Sequence, residues 1–386
     1  MNEYFVDLHI HIGRTFTGKP VKITAAKTLT LTNILQTAKF PKGLNIVGVI
    51  DCHSPEVIAE MEQLCEEGRL IEMEEGGFRF ENEVTLIPGT EMEVLDENCN
   101  GPIHLLAYFP GFKQLKEFSR WLSMRVTNLQ LSTQRVYEKA VNIQEKVKSL
   151  EGLFIPAHVF TPFKSLYGKG VKQSLKEVLD PELIDGVELG LSSNTVMADR
   201  IGELHGFTFV SNSDAHSLPK MAREYQKMTL EAPTFSAVKK ALHGMDGNSI
   251  DENYGLNPFL GKYYRTACAK CFTLKQGDTC PNCGSKKFTK GVSERIAELA
   301  DERTTPPKRP PYIHQVPLDF LPGLGAKTKE KLYSHFGSEM NILHRVSEGE
   351  LKKVVKGGLA DLIVKARSGE LQLEEGGGGR YGKVAK

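Results

Sequence analysis

Along residues 1–260, short apolar runs alternate with stretches of helical spacing, the pattern of an α/β domain. The runs are Tyr4–Leu8, Ile46–Ile50, Val84–Ile87, Ile103–Tyr108, Leu153–Ala157, Gly186–Leu189 and Phe207–Ser211. Seven runs of parallel type with helices between them predict a (βα) barrel rather than a hairpin-built sheet. After the fourth run, Phe112, Leu115, Phe118, Trp121 and Leu122 recur at helical spacing and predict a helix over Phe112–Met124, with Trp121 in the core. Ser132 or Thr133 is placed to cap a second helix running to about Ser149.

In such barrels chemistry gathers at the C-terminal ends of the strands, and His and carboxylate residues fall there repeatedly. The first run ends in Asp7-Leu8-His9-Ile10-His11. Strand alternation puts Asp7, His9 and His11 on one face. Asp51 and His53 follow the second run and Glu91 the third, while His104 lies on the fourth. His158 follows the fifth, Glu188 sits in the sixth, and Asp214 and His216 follow the seventh. Six of the 11 histidines therefore occupy strand ends. Imidazole and carboxylate together suit Zn, Mn or Fe, and an all-oxygen shell would favour Mg. Two or three divalent metals sharing a bridging carboxylate use such a donor set best. Closely spaced metals favour phosphoester hydrolysis, with amide hydrolysis as the alternative. The segment Phe160–Val171, with its aromatics, glycines and lysines, reads either as a loop stacking a base or as a structural loop.

Composition adds a division of labour. A chain of 386 residues predicts two or three domains. Residues 262–386 carry 23 Lys and Arg against 14 Asp and Glu, and the rest of the chain carries 26 against 34. An acidic body with a basic tail suggests a catalytic domain joined to a polyanion-binding part. No run approaches the ~18 apolar residues of a membrane span, and no basic-then-apolar leader opens the chain, so a cytoplasmic protein without membrane contact is expected. Cysteines in that compartment are not expected to pair, and Cys52 reads as a small buried residue.

The tail divides further. Cys268-x2-Cys271 and Cys280-x2-Cys283 have the spacing of a four-thiolate structural zinc site, which predicts a small module over residues 261–300. Prolines between Thr304 and Pro311 predict a stiff linker over 301–315. Residues 316–372 should form an all-α unit: Leu321-Pro322-Gly323-Leu324-Gly325 followed by Lys327 and Lys329 resembles a helix-hairpin-helix turn, and Gly357-Gly358 resembles a second one. Such glycine turns aim backbone N–H groups at DNA phosphates. The glycine-rich residues 373–386 are expected to be disordered.

The ordered motifs at Asp7–His11, Asp51/His53, Glu91, His104, His158 and Asp214–His216 resemble those of the PHP (polymerase and histidinol phosphatase) superfamily over about residues 3–245. The resemblance implies a distorted seven-stranded barrel and a trinuclear metal centre. Transferred position by position, His9, His11, Glu91, His158 and Asp214 would be ligands with Glu91 bridging, and His53, His104 and His216 would complete the set. Asp214 would be the leading catalytic carboxylate, with Asp51 or His53 as a further catalytic group. The family commonly has an adjacent Asp-His pair where Cys52 here separates Asp51 from His53, with His53 the preferred ligand. Asp7 would orient a histidine from behind. Barrel, four-cysteine module and helix-hairpin-helix tail in this order resemble the endonuclease Q family. That resemblance implies nicking of single- or double-stranded DNA on the 5′ side of uracil, hypoxanthine, xanthine and abasic sites, with replication or repair proteins as candidate partners. The alternatives are a PHP phosphatase acting on a small phosphomonoester or nucleotide, and a non-catalytic DNA-tethering protein.

Overall fold

The first apolar run extends in both directions into the strand on which the molecule is built. A computed structural model describes residues 1–301, 305–374 and 381–384. In chain order the strands of the body are β1 (Asn2–Ile10), β2 (Ile46–Val49), β3 (Leu70–Glu72), β4 (Phe78–Phe80), β5 (Val84–Val94), β6 (Ile103–Tyr108), β7 (Arg135–Val136), β8 (Leu153–Pro156), β9 (Val187–Glu188), β10 (Phe209–Val210), β11 (Tyr225–Leu230) and β12 (Ser249–Gly255). β1, β2 and β5 pair in parallel, and β6 pairs with both β5 and β8. Backbone bonds from Asp185 to Phe154 and from Val159 to Glu188 lead on to the parallel pair β9–β10. The ring closes where Ala215, just past β10, exchanges bonds of 3.1 Å with His9 and His11. Each of the seven apolar runs thus carries one strand of a distorted barrel.

Its directions are not uniform. β6 runs antiparallel to both neighbours. Only residues 95–102 join it to β5, too few for the dozen or more that a parallel crossover needs. Reversal brings the first turn of β6, and with it His104, to the same end of the barrel as the C-termini of the other strands. β11 pairs antiparallel with β1 and β12 antiparallel with β11, extending the sheet beyond β1. Polar residues such as Glu252 and Asn253 hide the period of β12 in the sequence.

The pairing of β1 with β2 slips between Asp7 and Ile10: Asp7 lies opposite Val47 and Ile10 opposite Val49. Three steps on one strand against two on the other make a β-bulge. The bulge puts Asp7 and Ile10 on one face and His9 and His11 on the other. Leu8, displaced from the ladder, finds partners in side chains: its N–H donates to Asn212 Oδ1 at 2.9 Å and its carbonyl accepts from the Tyr108 hydroxyl at 2.7 Å.

Helices α1 (Leu31–Thr37), α2 (Pro55–Glu66), α3 (Phe112–Ser123), α4 (Ala140–Ser149), α5 (Thr195–Ala198) and α6 (Phe235–His243) accompany the barrel. α3 follows its predicted span, and Trp121 on it is half-buried beneath Arg125, whose guanidinium lies 4.0 Å from the ring centroid. α4 starts later than the capping residues predict, because Thr133 adopts a left-handed conformation and turns toward Glu91.

Residues 267–291 form a knuckle on the short strands β13 (Ala267–Cys268) and β14 (Phe288–Thr289), followed by α7 (Val292–Leu299). The proline-rich stretch, read in the sequence as a stiff linker, is docked on the body over its described residues. Arg309 pairs with Asp199 at 2.9 Å and stacks on Phe209, and β15 (Tyr312–His314) joins the main sheet parallel to β12. Prolines suit this place because a sheet edge leaves their missing N–H unneeded. The all-α unit comprises α8 (Ala326–Phe336), α9 (Glu339–His344), α10 (Glu348–Val354) and α11 (Gly357–Ser368). It docks on the body through the buried pair Lys42–Glu339 at 2.7 Å and through His344, stacked on Phe5 at 4.5 Å. Part of the tail expected to be disordered is ordered: Leu373–Glu374 pairs with Lys383–Val384, and the Gly382 N–H donates to the Leu260 carbonyl. Tyr381 there accepts from Arg223 at 2.8 Å, so backbone pairing and one side-chain anchor offset the flexible composition. Residues 302–304, 375–380 and 385–386 of the linker and tail lie outside the described residues.

Glu224, at the edge of β11, gives a stability test. It is fully buried; one oxygen accepts from the Leu256 N–H at 2.9 Å and the other has no hydrogen-bond partner. Burial raises its pKa to about 8. The raised value means that the protonated form stabilises the fold fully below the unfolded carboxylate range, and this contribution is lost as pH rises toward about 8. Glu224→Gln should therefore gain stability over the parent as pH rises from 5 to 9, by about 2–4 kcal/mol at the alkaline end. Thermal unfolding of both proteins across that range, with no divergence, would contradict the assignment.

Candidate metal centre

At the barrel mouth the ladder between β1 and residue 215 sets the first cluster. His9 and His11 project from the end of β1, and Asp214 is carried alongside them by the Ala215 bonds. Asp214 Oδ1 lies 3.5 Å from both His9 Nε2 and His11 Nε2. His216 adds its Nε2 at 3.3 Å from the same oxygen, on the open side. The second cluster comes from three strands: Glu91 on β5, His104 on β6 and His158 just after β8. Glu91 Oε1 lies 2.8 Å from His104 Nδ1, 3.4 Å from His158 Nε2 and 3.6 Å from His9 Nε2, while Oε2 lies 3.5 Å from His11 Nε2. One carboxylate thus faces both clusters.

Each histidine of β1 is held from behind. Asp51 Oδ2 sits 3.1 Å from His11 Nδ1 and also accepts the Ile12 N–H. Glu188 contacts His9 Nδ1 at 2.9 Å, accepts from Asn212, and accepts the His158 N–H at 2.8 Å. This leaves both Nε2 atoms aimed at the centre, buried and without a hydrogen-bond partner. His104 Nδ1 also lacks one, being close to Glu91 but misaligned for a hydrogen bond. His158 and Asp214 both hold positive φ, of 30° and 43°, and the chain beside His158 closes against Gly190, where a Cβ would come within 2.8 Å of the His158 Cβ.

Such converging, orphaned donors are what a cation site requires. The electrostatics agree. Burial would lower the His9 pKa, yet Glu188, Asp214 and Glu91 outweigh it and raise it to about 10. Burial would raise the Asp214 and Glu91 carboxyls, but the surrounding positive groups hold both well below the usual range. Lys22 supplies one of those charges, 3.1 Å from Glu91 Oε2, and Thr133 donates to the same oxygen at 2.6 Å. The pocket of anions is built for positive charge, and the residues fit divalent metals.

Several sequence readings change here. Asp51 stands behind His11 rather than in the clusters, because β2 ends at Val49 and the chain turns before it. His53 joins neither cluster: it is buried against the Thr90 hydroxyl at 2.7 Å, and burial lowers its pKa. Asp7 meets no imidazole and touches His9 only at its backbone N–H, at 3.4 Å. The bulge turns it to accept the Ser213 and Ala222 N–H groups at 3.0 Å, so it anchors the loop that carries Asp214. Glu188 takes the supporting role instead; its place at a strand end is the signal for it. Lys22, Thr133 and Arg223 come from loops with no motif, and nothing in the sequence marks them. Cys52 is fully buried and its thiol is pushed up by burial, as a packing residue would be.

The four cysteines also converge. Sγ of Cys268 lies 3.6 Å from that of Cys283, and Cys271 lies 3.4 Å from Cys280. These separations are far beyond a disulfide and close to the ~3.8 Å edge of a tetrahedron with ~2.3 Å metal–sulfur bonds. In the all-α unit, Gly323 and Gly358 line one cavity of about 710 Å³ between the two turns, and Gly323 needs its positive φ of 83°. Gly325 precedes α8 directly and Gly357 opens α11. Lys327 is exposed, whereas Lys329 is paired with Asp319.

No protein-family model matches the chain. A Bacillus subtilis (strain 168) protein, the uncharacterized protein YqxK, is 53% identical over 386 residues, 100% of each chain. The crystal structure of the lesion-specific endonuclease PfuEndoQ from Pyrococcus furiosus matches with a TM-score of 0.85 at 33% identity, covering 99% of this chain and 95% of that one. The chain belongs to the endonuclease Q family. A complex of endonuclease Q with a 27-mer duplex carrying an abasic lesion at the active site gives the same TM-score, 0.85, at 32% identity over 99% and 96% of the two chains. Endonuclease, the activity expected from the motifs, is the activity named for both solved relatives. Among the described residues no helix is long and apolar enough to cross a membrane.

The groups behind the histidines make a quantitative test of this centre. Glu188→Gln and Asp51→Asn should each lower metal affinity or activity by about 10–100-fold, the usual effect of removing a partner behind a metal-binding histidine. Added metal should restore part of the loss, measured as activity against metal concentration.

Proposed function

We propose that the protein hydrolyses the DNA phosphodiester on the 5′ side of deaminated bases (uracil, hypoxanthine and xanthine) and of abasic sites. In this reading two or three divalent metals, Zn, Mn, Fe or Mg, are held by His9, His11, Glu91, His104, His158 and Asp214, with His216 at the open side. The observation that carries it is Glu91 facing two histidine clusters beside a cavity of about 290 Å³, whose wall includes His158, Asp214 and His216. That volume suits a single extruded nucleotide.

The cavity also has basic groups in its wall. Lys220, Arg223 and Lys262 line it, and burial followed by the charges of Arg223 and Lys262 lowers the Lys220 pKa. Their surplus charge seeks an anion, such as the phosphate beside an extruded nucleotide. Arg223 also fixes the reacting end of the site: its guanidinium donates to the Ser213 carbonyl at 2.7 Å and the Asp214 carbonyl at 3.1 Å. Bound divalent metals supply Lewis-acid neutralisation of a phosphodiester and ease deprotonation of water near neutral pH. Glu188, Asp51 and Asn212 keep the imidazoles in one tautomer and one orientation throughout. The four cysteines hold one structural zinc. Gly323, Gly325, Gly357 and Gly358 present backbone N–H groups to phosphates in a helix-hairpin-helix manner, with Lys327 adding charge. Binding should therefore weaken steeply as salt rises.

The test is a nicking assay on matched duplexes and single strands carrying uracil, hypoxanthine, xanthine, an abasic site or no lesion, in Mg²⁺, Mn²⁺ and chelator. Cleavage of the lesion-bearing strands alone, abolished by chelator, is expected. Equal cleavage of the lesion-free duplex, or hydrolysis only of an aryl phosphate, would defeat the reading.

A further inference from the structure

Beside the cavity at the metal centre lies a second one that the reaction described above leaves unused. It has a volume of about 290 Å³ and opens between the loop after β8 and the four-cysteine module. Phe163 and Lys169 come from the loop, and Phe288 and Lys290 from the module. The two walls are joined by Arg295 of α7. Its guanidinium donates to the carbonyls of Tyr167 at 2.8 Å, Val171 at 3.1 Å and Lys172 at 2.7 Å. The cleft is therefore held open by protein hydrogen bonds and needs no ligand to shape it.

Its chemistry is specific. Phe163 is 48% exposed, an unusual place for a phenylalanine. Edge to face with Phe163, at 5.5 Å between centroids, stands Tyr263, which lines the cavity at the metal centre. One aromatic pair thus separates the two cavities. No carboxylate lines the cleft. Glu298 at its rim pairs with Lys290 and Arg295, which leaves Lys169 as the cation with no ion pair among the described residues. A flat apolar ring with a free cation, one partition away from a nucleotide-sized cavity, matches a base and its phosphate.

We propose that this cleft binds the nucleotide next to the one held at the metal centre, its base stacked on Phe163 and its phosphate at Lys169. The inference rests on the DNA-nicking reading above. It makes the four-cysteine module one wall of the substrate site as well as a metal-dependent fold.

The test uses the full-length protein and duplexes with an abasic site flanked on either side, in turn, by 5-iodocytosine, which crosslinks to aromatic rings stacked on it. One of the two positions should crosslink to Phe163. Phe163→Ala should lose that crosslink and raise the half-saturating DNA concentration for nicking roughly ten-fold, whereas Phe163→Trp should hold it within about two-fold. Lys169→Ala should raise it too, with a shallower salt dependence. Phe163 is at the surface, so unchanged thermal unfolding is expected to accompany these variants. A crosslink that maps elsewhere, or a Phe163→Ala protein with unaltered half-saturation, overturns the subsite even if the parent nicks abasic DNA normally. Conversely, a parent protein that crosslinks at Phe163 but nicks no lesion retains the subsite and loses the nuclease reading.

Discussion

Asp214→Asn is expected to reduce nicking by more than about a hundred-fold while leaving duplex binding intact. The lower bound follows from comparison: removing a group behind a metal-binding histidine costs about 10–100-fold, and Asp214 stands in front of two histidines rather than behind one. Its carboxyl is held ionised, well below the usual range, by His9 and its other positive neighbours, and asparagine removes that charge. Little else should change. Asparagine is isosteric and tolerates the positive φ of 43° at this position, and the Arg223 bond goes to the backbone carbonyl, which the substitution keeps. In the proposed reading duplex binding rests on the helix turns and basic groups rather than on this carboxylate, so a gel-shift of the variant should match the parent. A variant that nicks at the parent rate would show that Asp214 lies outside the reacting centre.

Cys280→Ser should have the second large effect, on the fold of the module rather than on the reaction alone. The knuckle has the two-residue pairing of β13 with β14, one bridge between Ala267 and Leu274 and no residue in the apolar core clusters, so its free energy of folding should depend on a bound metal. In isolated zinc-finger peptides such binding is worth about 10–16 kcal/mol. Loss of one thiolate should remove one metal per chain and expose residues 267–291 to protease, with the barrel left folded. Nicking should fall as well, because α7 and Arg295 hold the loop that follows His158. Metal analysis and limited proteolysis read the two effects separately. Full metal content with a protease-resistant module would contradict the four-thiolate site.

Much of this arrangement is legible in the chain because strand ends are local features. His9, His11, Glu91, His104, His158 and Asp214 stand at the ends of recognisable apolar runs, and a barrel gathers such ends at one mouth. The CxxC pairs are equally local. The reversed β6 is not among these features: all seven runs read as parallel, and the short connection to β5 is what overturns that for this strand, since loop length limits crossover geometry.

What needed the tertiary structure is the division between groups at the centre and groups behind it. Alternation alone places Asp7 with His9 and His11, but a bulge at Leu8 turns it away. Its displaced backbone is satisfied by Asn212 and Tyr108, 204 and 100 positions away. Asp51 and His53 are two residues apart and look equivalent, yet one supports His11 and the other packs on Thr90. The ordered end of the tail and the docked proline stretch likewise rest on partners remote in sequence, Arg223 and Asp199. By itself the sequence determines which residue types reach the barrel mouth, because period and run length are properties of neighbours. Which of them face the centre is decided by contacts between distant segments, and no local pattern encodes those.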